Sequence, residues 1–292
     1  MNSLLAIRLG GLGDLLVILP SLNFLRRAFP GGRIVLRARP EYGSLLRGRE
    51  VVDEVRPVDA PERNAETFDL RIGWFQKRSS VPDAAGRYFV FDPAAGSSVS
   101  RFFFDQTAAF VRESGDRAVP DFDGCARLPG AVSGLRTGPA VIHPGSGGRR
   151  KCWPPDRFLA VAADLARRGF AGRFVVGDAD ADIAAGLKPA HLPSGWEILD
   201  SPPLPDLAAL LESAPLYIGN DSGVTHLAAA CGTPVVALFR SEFVASWRPF
   251  GRTTVLAADE VDGIPLEAAI SAVAASCGRS PCAIIAGKQG VR

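Results

Sequence analysis

Residues 4–28, LLAIRLGGLGDLLVILPSLNFLRRA, contain the first structural unit of the chain. Residues 4–9 are typical of a buried strand, the glycines that follow predict a turn, and the apolar periodicity from Asp14 to about Ala28 predicts a helix. Such a strand, glycine loop and helix begin an α/β sheet domain. The same alternation recurs along the rest of the sequence.

The first half continues with predicted strands over 33–38, 51–58, 68–74 and 88–91 and a helix over 100–112. The second half has predicted strands over 140–143, 173–176, 196–199, 216–218, 234–239 and near 255, and predicted helices over 155–168, 180–187, 205–213, 222–231 and 266–276. Alternating helices and continuous apolar strands indicate parallel sheets covered on both faces. The stretch between the halves, residues 115–139, is rich in glycine and proline and lacks periodicity. We therefore predict two Rossmann-like, doubly wound domains, 1–135 and 136–292, facing each other across a ligand-binding cleft.

Charge and cysteine content exclude several classes of protein. The 292 residues carry 33 Lys and Arg against 31 Asp and Glu, too small an excess for a protein held to nucleic acid mainly through phosphates. Positive charge is concentrated in residues 26–49, which are either a solvated surface or the contact for an anionic partner. The 5 cysteines include no CxxC pair, which argues against a disulfide framework and a structural zinc site. Arg8, the glycines and Asp14 interrupt the N-terminal apolar stretch, so we expect no signal peptide, no transmembrane segment and a cytoplasmic location.

The glycine loop that ends at Asp14 is the first candidate site. It lets backbone N–H groups approach a ligand, but it is not a dinucleotide fingerprint. Leu16 stands where the third glycine would be, and the Asp14 carboxylate would repel a pyrophosphate. Asp14 is therefore either a helix cap or a general base at the carboxyl edge of the first strand.

The second candidate is HPGSGGRRKCWP, residues 143–154, directly after a predicted strand. Small residues expose successive N–H groups, and three cations follow them. The segment is either an anion cradle for a phosphate or diphosphate, or a polar turn.

The third candidate is GNDSGVTHLAAA, residues 219–230, between a predicted strand and a helix. If Asp221 or Ser222 caps the helix, the next N–H groups point outward with the positive end of the helix dipole, and His226 lies one turn further on. This arrangement suits a diphosphate, although a capped helix with a structural histidine is the alternative. No second histidine stands at ligand spacing from His226, which argues against zinc.

Two further patterns carry less weight. Asp178-Ala179-Asp180 matches the DxD motif of metal-dependent glycosyltransferases, but that motif belongs to a single-domain fold. One of these acids is more consistent with a helix cap or a hydrogen bond to a ribose hydroxyl. No GxSxG elbow occurs, so serine-hydrolase chemistry has no support in the sequence.

Three separated blocks, residues 7–30, 142–165 and 204–239, resemble the heptosyltransferases of glycosyltransferase family 9, in the family's order. That family attaches heptose from ADP-heptose to the inner core of lipopolysaccharide. The resemblance implies a GT-B architecture with an acceptor-binding N-terminal half and a donor-binding C-terminal half. It also implies an inverting glycosyltransferase. A base and two leaving-group stabilisers suffice for a single displacement, so we expect no obligatory metal or other cofactor.

The resemblance also assigns roles to individual residues. Asp14 is the general base, and Lys151 stabilises the leaving diphosphate. The implied donor site consists of Ser146, Gly147, Lys151, Asp178 or Asp180, Asp221, Ser222, Gly223 and His226. The expected acceptor side consists of Gly10, Gly11, Arg37 and Arg39, with the two arginines receiving an anionic glycolipid.

The identity of the acceptor is the least determined part of the predicted function, because the segment after Asp69-Leu70 is shorter than is usual in the family. A different polysaccharide or a protein acceptor remains open, as does peripheral attachment at the inner face of the cytoplasmic membrane. The alternative functions are a GT-B transferase or epimerase that uses another nucleotide sugar, and an inactive nucleotide-sugar-binding scaffold. A nicotinamide oxidoreductase fits the sequence poorly, because the glycine loop does not match the dinucleotide-binding fingerprint.

Overall fold

The computed structural model describes residues 2–60, 66–82, 84–113, 115, 118–131, 134, 136–187 and 191–277. The N-terminal sheet has 5 parallel strands in the order β3-β2-β1-β4-β5. They are β1 (Ser3–Ile7), β2 (Arg33–Arg37), β3 (Glu54–Arg56), β4 (Leu70–Phe75) and β5 (Arg87–Val90). The α-helices of this half are α1 (Leu12–Leu16), α2 (Leu19–Ala28), α3 (Gly43–Arg47), α4 (Val99–Glu113) and α5 (Phe122–Ala126).

The C-terminal sheet has 6 parallel strands in the order β11-β10-β9-β6-β7-β8. They are β6 (Ala140–His143), β7 (Gly172–Val176), β8 (Trp196–Asp200), β9 (Tyr217–Asn220), β10 (Val235–Arg240) and β11 (Thr253–Ala258). Its α-helices are α6 (Pro155–Arg167), α7 (Ala181–Gly186), α8 (Leu204–Ser213), α9 (Gly223–Ala230), α10 (Ser241–Trp247) and α11 (Leu266–Ser276).

Both strand orders are doubly wound, which confirms the predicted α/β class. The order reverses between β1 and β4 in one sheet and between β6 and β9 in the other. Crevices at such reversals, outside the carboxyl ends of the strands, are where open α/β sheets bind ligands. The domain boundary between residues 135 and 136 stays a prediction.

The apolar strands are buried on both faces, as parallel sheets require. Along β1, Leu4 and Ala6 enter one core cluster, while Leu5 and Ile7 enter another on the opposite face. The first of these clusters continues into the C-terminal half through residues of α8 and α9. The two halves are therefore packed against each other and can present groups to one shared cavity.

The helix predicted from Asp14 to about Ala28 is wrong in one respect, because the chain forms two helices there. Helix α1 ends at Leu16 and α2 begins at Leu19. Pro20, near the start of α2, has no N–H to donate to the carbonyl of Leu16, so a continuous helix would lose a hydrogen bond there. The strand predicted over residues 51–58 is also shorter, since β3 covers only 54–56.

Candidate functional site

A cavity of about 590 Å³ lies between the carboxyl edges of the two sheets. Its walls come from the segments that follow β1, β4, β6, β7, β8 and β9, with contributions from other parts of the C-terminal half. The polar groups among its lining residues are Asp14 and Gln76 from the first half and His143, Ser146, Lys151, Asp180, Ser201, Asp221, Ser222 and His226 from the second. Most of the residues predicted from the three sequence motifs are thus brought together.

Asp14 is the third residue of α1, and its carboxylate accepts three hydrogen bonds. Arg8 Nη2 and Gln76 Nε2 donate to Oδ1 at 2.7 and 2.6 Å, and the N–H of Gly11 donates to Oδ2 at 2.9 Å. A carboxylate oxygen has about two lone-pair sites, so the two donors fill Oδ1 and Oδ2 keeps one site. Asp14 therefore accepts a hydrogen bond from the N-cap residue of its own helix and also lines the cavity, and its role as a general base stays a prediction.

Arg8 fixes the position of the Asp14 carboxylate. Its side chain is 3% exposed, and it donates from Nε to the Asp14 carbonyl at 2.8 Å and from Nη1 to the Trp74 carbonyl at 2.9 Å. Burial lowers the pKa of Arg8, and the charge of Asp14 opposes that shift. The guanidinium also lies over the Phe103 ring. Arg8 thus fixes Asp14 to β4 and α4.

Gly10 and Gly11 have different positions relative to the cavity. Gly11 lines it, whereas Gly10 does not. Gly10 has a φ of 113°, and a Cβ there would collide with the Asp14 carboxylate. Its contribution is to allow the turn that places Asp14.

The loop after β6 is tied to the end of β9. Ser146 Oγ donates to the Asp221 carbonyl at 2.6 Å. The buried Asn220 donates to the Pro144 carbonyl at 2.7 Å and accepts from the N–H of Trp153 at 3.0 Å. Asn220 was missed by sequence reasoning, although it stands directly before Asp221. Because the Ser146 hydroxyl donates to the Asp221 carbonyl, Ser146 contributes to the site by fixing the conformation of the loop after β6.

Lys151 is held by Asp221 and by an aromatic ring. Its Nζ lies 2.6 Å from Asp221 Oδ2 and 4.8 Å from the centre of the Phe243 ring. The side chain of Lys151 is 35% exposed and that of Asp221 only 7%. An ammonium has three donors, so Lys151 can serve Asp221 and an anionic ligand together. Asp221 therefore acts on the cavity through Lys151.

The N-terminus of α9 forms the neighbouring wall. Ser222 is the N-cap, and its Oγ accepts from the N–H of Thr225 at 3.3 Å. Gly223 and Val224, the first two residues of the helix, line the cavity, and N–H groups at these positions have no intrahelical acceptor. They present partial positive charge to the cavity.

Two buried histidines, His143 and His226, also line the cavity. Burial lowers the pKa of both, which favours the neutral ring. His143 Nδ1 lies 2.9 Å from the Val175 carbonyl, which can only accept, so that nitrogen carries the proton and Nε2 is an acceptor. His226 Nδ1 has no hydrogen-bond partner within the part of the chain that the structure describes.

The structure separates the two acids of the DxD match. Asp180 is 4% exposed, lines the cavity and accepts from the N–H of Gly177 at 3.0 Å. Asp178 does not line it and accepts from Ser201 Oγ at 3.0 Å. Of the two acids, Asp180 is therefore the one that lines the cavity.

Arg37 and Arg39 lie outside the lining of the cavity. Arg37 Nη2 donates to the Ala60 carbonyl at 3.1 Å, and the exposed Arg39 lies 3.9 Å from the carboxylate of Glu41. Arg37 is the last residue of β2 and Arg39 comes just after it, whereas the cavity opens at the reversal between β1 and β4. Gln76, after β4, occupies this part of the site, and the sequence analysis did not identify it.

Two features are absent from the described ranges. They contain no group of three or more His, Cys, Asp and Glu side chains that could hold a metal ion. No helix in those ranges is long and apolar enough to cross a membrane.

Two doubly wound sheets that share one cavity, lined by a carboxylate and by cationic and dipolar groups, have the architecture of the GT-B fold. The sequence pattern of glycosyltransferase family 9 (heptosyltransferase) matches residues 117–262, half of the chain. The chain belongs to this family, as the sequence motifs predicted.

Named relatives agree with this assignment. The chain is 28% identical over 158 residues to lipopolysaccharide heptosyltransferase 3 of Escherichia coli K12, covering 52% of this chain and 43% of that protein. The match thus spans less than half of the relative's length.

Solved structures share the fold over nearly the whole chain. The E. coli ADP-heptose lipopolysaccharide heptosyltransferase II has a TM-score of 0.73 at 17% identity, covering 95% of this chain and 98% of that one. The E. coli heptosyltransferase WaaC with ADP has a TM-score of 0.70 at 16% identity, covering 94% and 99%.

Proposed function

We propose that the protein is an inverting glycosyltransferase that moves a heptose or related sugar from ADP-heptose to a lipopolysaccharide core or another glycan. One observation carries the proposal: Asp14, Lys151 and the α9 N-terminus line a single cavity. The relatives named as lipopolysaccharide heptosyltransferases, and the fold shared with a structure holding ADP, support the choice of donor and acceptor.

Asp14 acts as the general base. In a single displacement, the acceptor hydroxyl attacks the anomeric carbon while the bond from that carbon to the diphosphate breaks, so the configuration inverts. The free lone-pair site of Asp14 Oδ2 takes the hydroxyl proton. Arg8 and Gln76 hold Oδ1 and keep the carboxylate in place. A carboxylate base fixed in this way suits an oxocarbenium-like transition state with late proton transfer.

Lys151 and α9 stabilise the departing diphosphate. Charge develops on the leaving oxygen as the glycosidic bond breaks, and donors already in position need no reorganisation at that moment. Lys151 supplies a full charge, and the N–H groups of Gly223 and Val224 supply oriented dipoles. His226, whose Nδ1 has no hydrogen-bond partner among the described residues, lies one turn deeper for a further hydrogen bond. Asp180 contacts the ribose.

The acceptor enters on the side of Asp14 and Gln76. Arg37 and Arg39, outside the cavity, contact only a distant part of a large anionic acceptor. An enzyme with this acceptor would work in the cytoplasm at the inner face of the membrane. The absence of an obligatory metal stays a prediction, and turnover that persists in EDTA tests it.

The experiment is a titration of the protein with ADP, UDP, GDP and NAD, followed by thermal denaturation. A ligand that binds only the folded state raises the midpoint as its concentration rises. We expect selective stabilisation by ADP, reduced in His226→Ala. Selective stabilisation by UDP or GDP would indicate a donor that carries that nucleotide instead of ADP. No stabilisation by any nucleotide would contradict the proposal.

A further inference from the structure

The two halves of the protein touch backbone to backbone beside the cavity. A Cβ at Gly223 would lie 2.8 Å from Leu12 Cβ and 2.9 Å from the backbone nitrogen of Gly13, closer than atoms tolerate. In contrast, a Cβ at Gly13 would lie 3.5 Å from His226 Cδ2 and 3.6 Å from Gly223 Cα, which are ordinary contacts. The two sides of one contact thus differ, since only the Gly13 side has room for a methyl group.

This contact adjoins the reacting groups on both walls. Gly13 directly precedes Asp14 on α1, and Gly223 is the first residue of α9. We propose that Gly223 is a positioning residue, because the missing side chain sets the distance between the Asp14 carboxylate and the α9 N–H groups. The inference rests on the function proposed above and assigns this distance to one residue.

The consequence is a loss of rate without a loss of donor affinity. A methyl group at Gly223 would move α1 away from α9 by on the order of 1 Å, and a misplacement of that size can cost about 100-fold in rate. The methyl group would point at Leu12 and Gly13 and leave the N–H of residue 223 in place. Lys151 and α9 belong to the same half and move together, so the diphosphate keeps its contacts. Replacing a helical glycine by alanine raises helix propensity at both residue 13 and residue 223. A loss of helix stability therefore cannot explain a difference between the two variants.

The experiment compares Gly223→Ala with the matched control Gly13→Ala. ADP affinity is measured by calorimetry, and kcat by ADP release from ADP-heptose in the presence of truncated lipopolysaccharide. We expect kcat of Gly223→Ala to fall by about 10-fold to 100-fold with the Kd for ADP retained, and Gly13→Ala to lose far less. Adding Leu12→Gly to Gly223→Ala removes one of the two colliding groups and recovers part of the rate. Equal rates in the two alanine variants, or parallel losses of rate and ADP affinity, would overturn the inference.

Crystal structures of the two variants give a readout that needs no substrate. The distance from Asp14 Cγ to the backbone nitrogen of residue 223 is expected to increase in Gly223→Ala and to stay unchanged in Gly13→Ala. An unchanged distance in both would overturn the inference even if the wild-type protein used a different donor. Failure of the wild type to release ADP would instead refute the proposed function alone.

Discussion

Lys151→Met is expected to weaken ADP binding by more than one lost hydrogen bond, because Lys151 also neutralises the buried Asp221 at 2.6 Å. Loss of a charge-assisted hydrogen bond costs about 1.5–3 kcal/mol, or about 10-fold to 150-fold in Kd. The uncompensated carboxylate then repels the diphosphate: two charges about 6 Å apart at an effective dielectric constant near 20 interact by about 3 kcal/mol. Together these effects predict that the Kd for ADP rises by about 1,000-fold to 10,000-fold.

The double variant Lys151→Met with Asp221→Asn separates the two contributions. It removes the repelling charge as well as the lysine, so it is expected to bind ADP more tightly than Lys151→Met alone. The Kd for ADP of the wild type, both single variants and the double variant is measured by isothermal calorimetry, which completes a double-mutant cycle. Equal affinities of Lys151→Met and the double variant, or losses that simply add, would refute the claim that Asp221 acts through Lys151.

Two further predictions concern stability and the donor side. Burial lowers the pKa of His226 from 6.5, so the unfolded chain binds a proton more readily, and the free energy of unfolding should fall as the pH drops below 6.5. Thermal denaturation should show a flatter pH dependence in His226→Gln than in the wild type, and equal slopes in the two proteins would count against this. Gly145→Ala places a methyl group against the Asp180 carboxylate, whereas Gly31→Ala places one in open space outside the lining of the cavity. Calorimetry with ADP should show weaker binding for the first variant only, and equal affinities would exclude a role for Asp180.

Much of the fold follows from local sequence. Continuous apolar strands alternating with helices predict parallel sheets, and the glycine loop before Asp14 predicts the first turn. The break between α1 and α2 was missed even though Pro20 is visible in the sequence, because apolar periodicity continues through it. Local patterns thus predict the kinds of element better than their ends.

The site could be predicted only where its residues lie in one motif. Ser222 and Lys151 stand in recognisable segments, but Gln76 reaches Asp14 because β4 pairs with β1, a pairing between strands far apart in sequence. The same topology leaves Arg37 and Arg39 outside the cavity, since β2 lies on the other side of β1.

The most direct test of the central claim is a comparison of Asp14→Asn with the wild type in ADP affinity and in transfer from ADP-heptose to truncated lipopolysaccharide. The substitution keeps the size of the side chain and removes its capacity to take a proton. The account predicts an unchanged Kd for ADP and a kcat lower by about 100-fold to 10,000-fold, the usual contribution of a general base. Transfer at the wild-type rate would contradict the role of Asp14, and loss of ADP binding would place this carboxylate in the donor site instead.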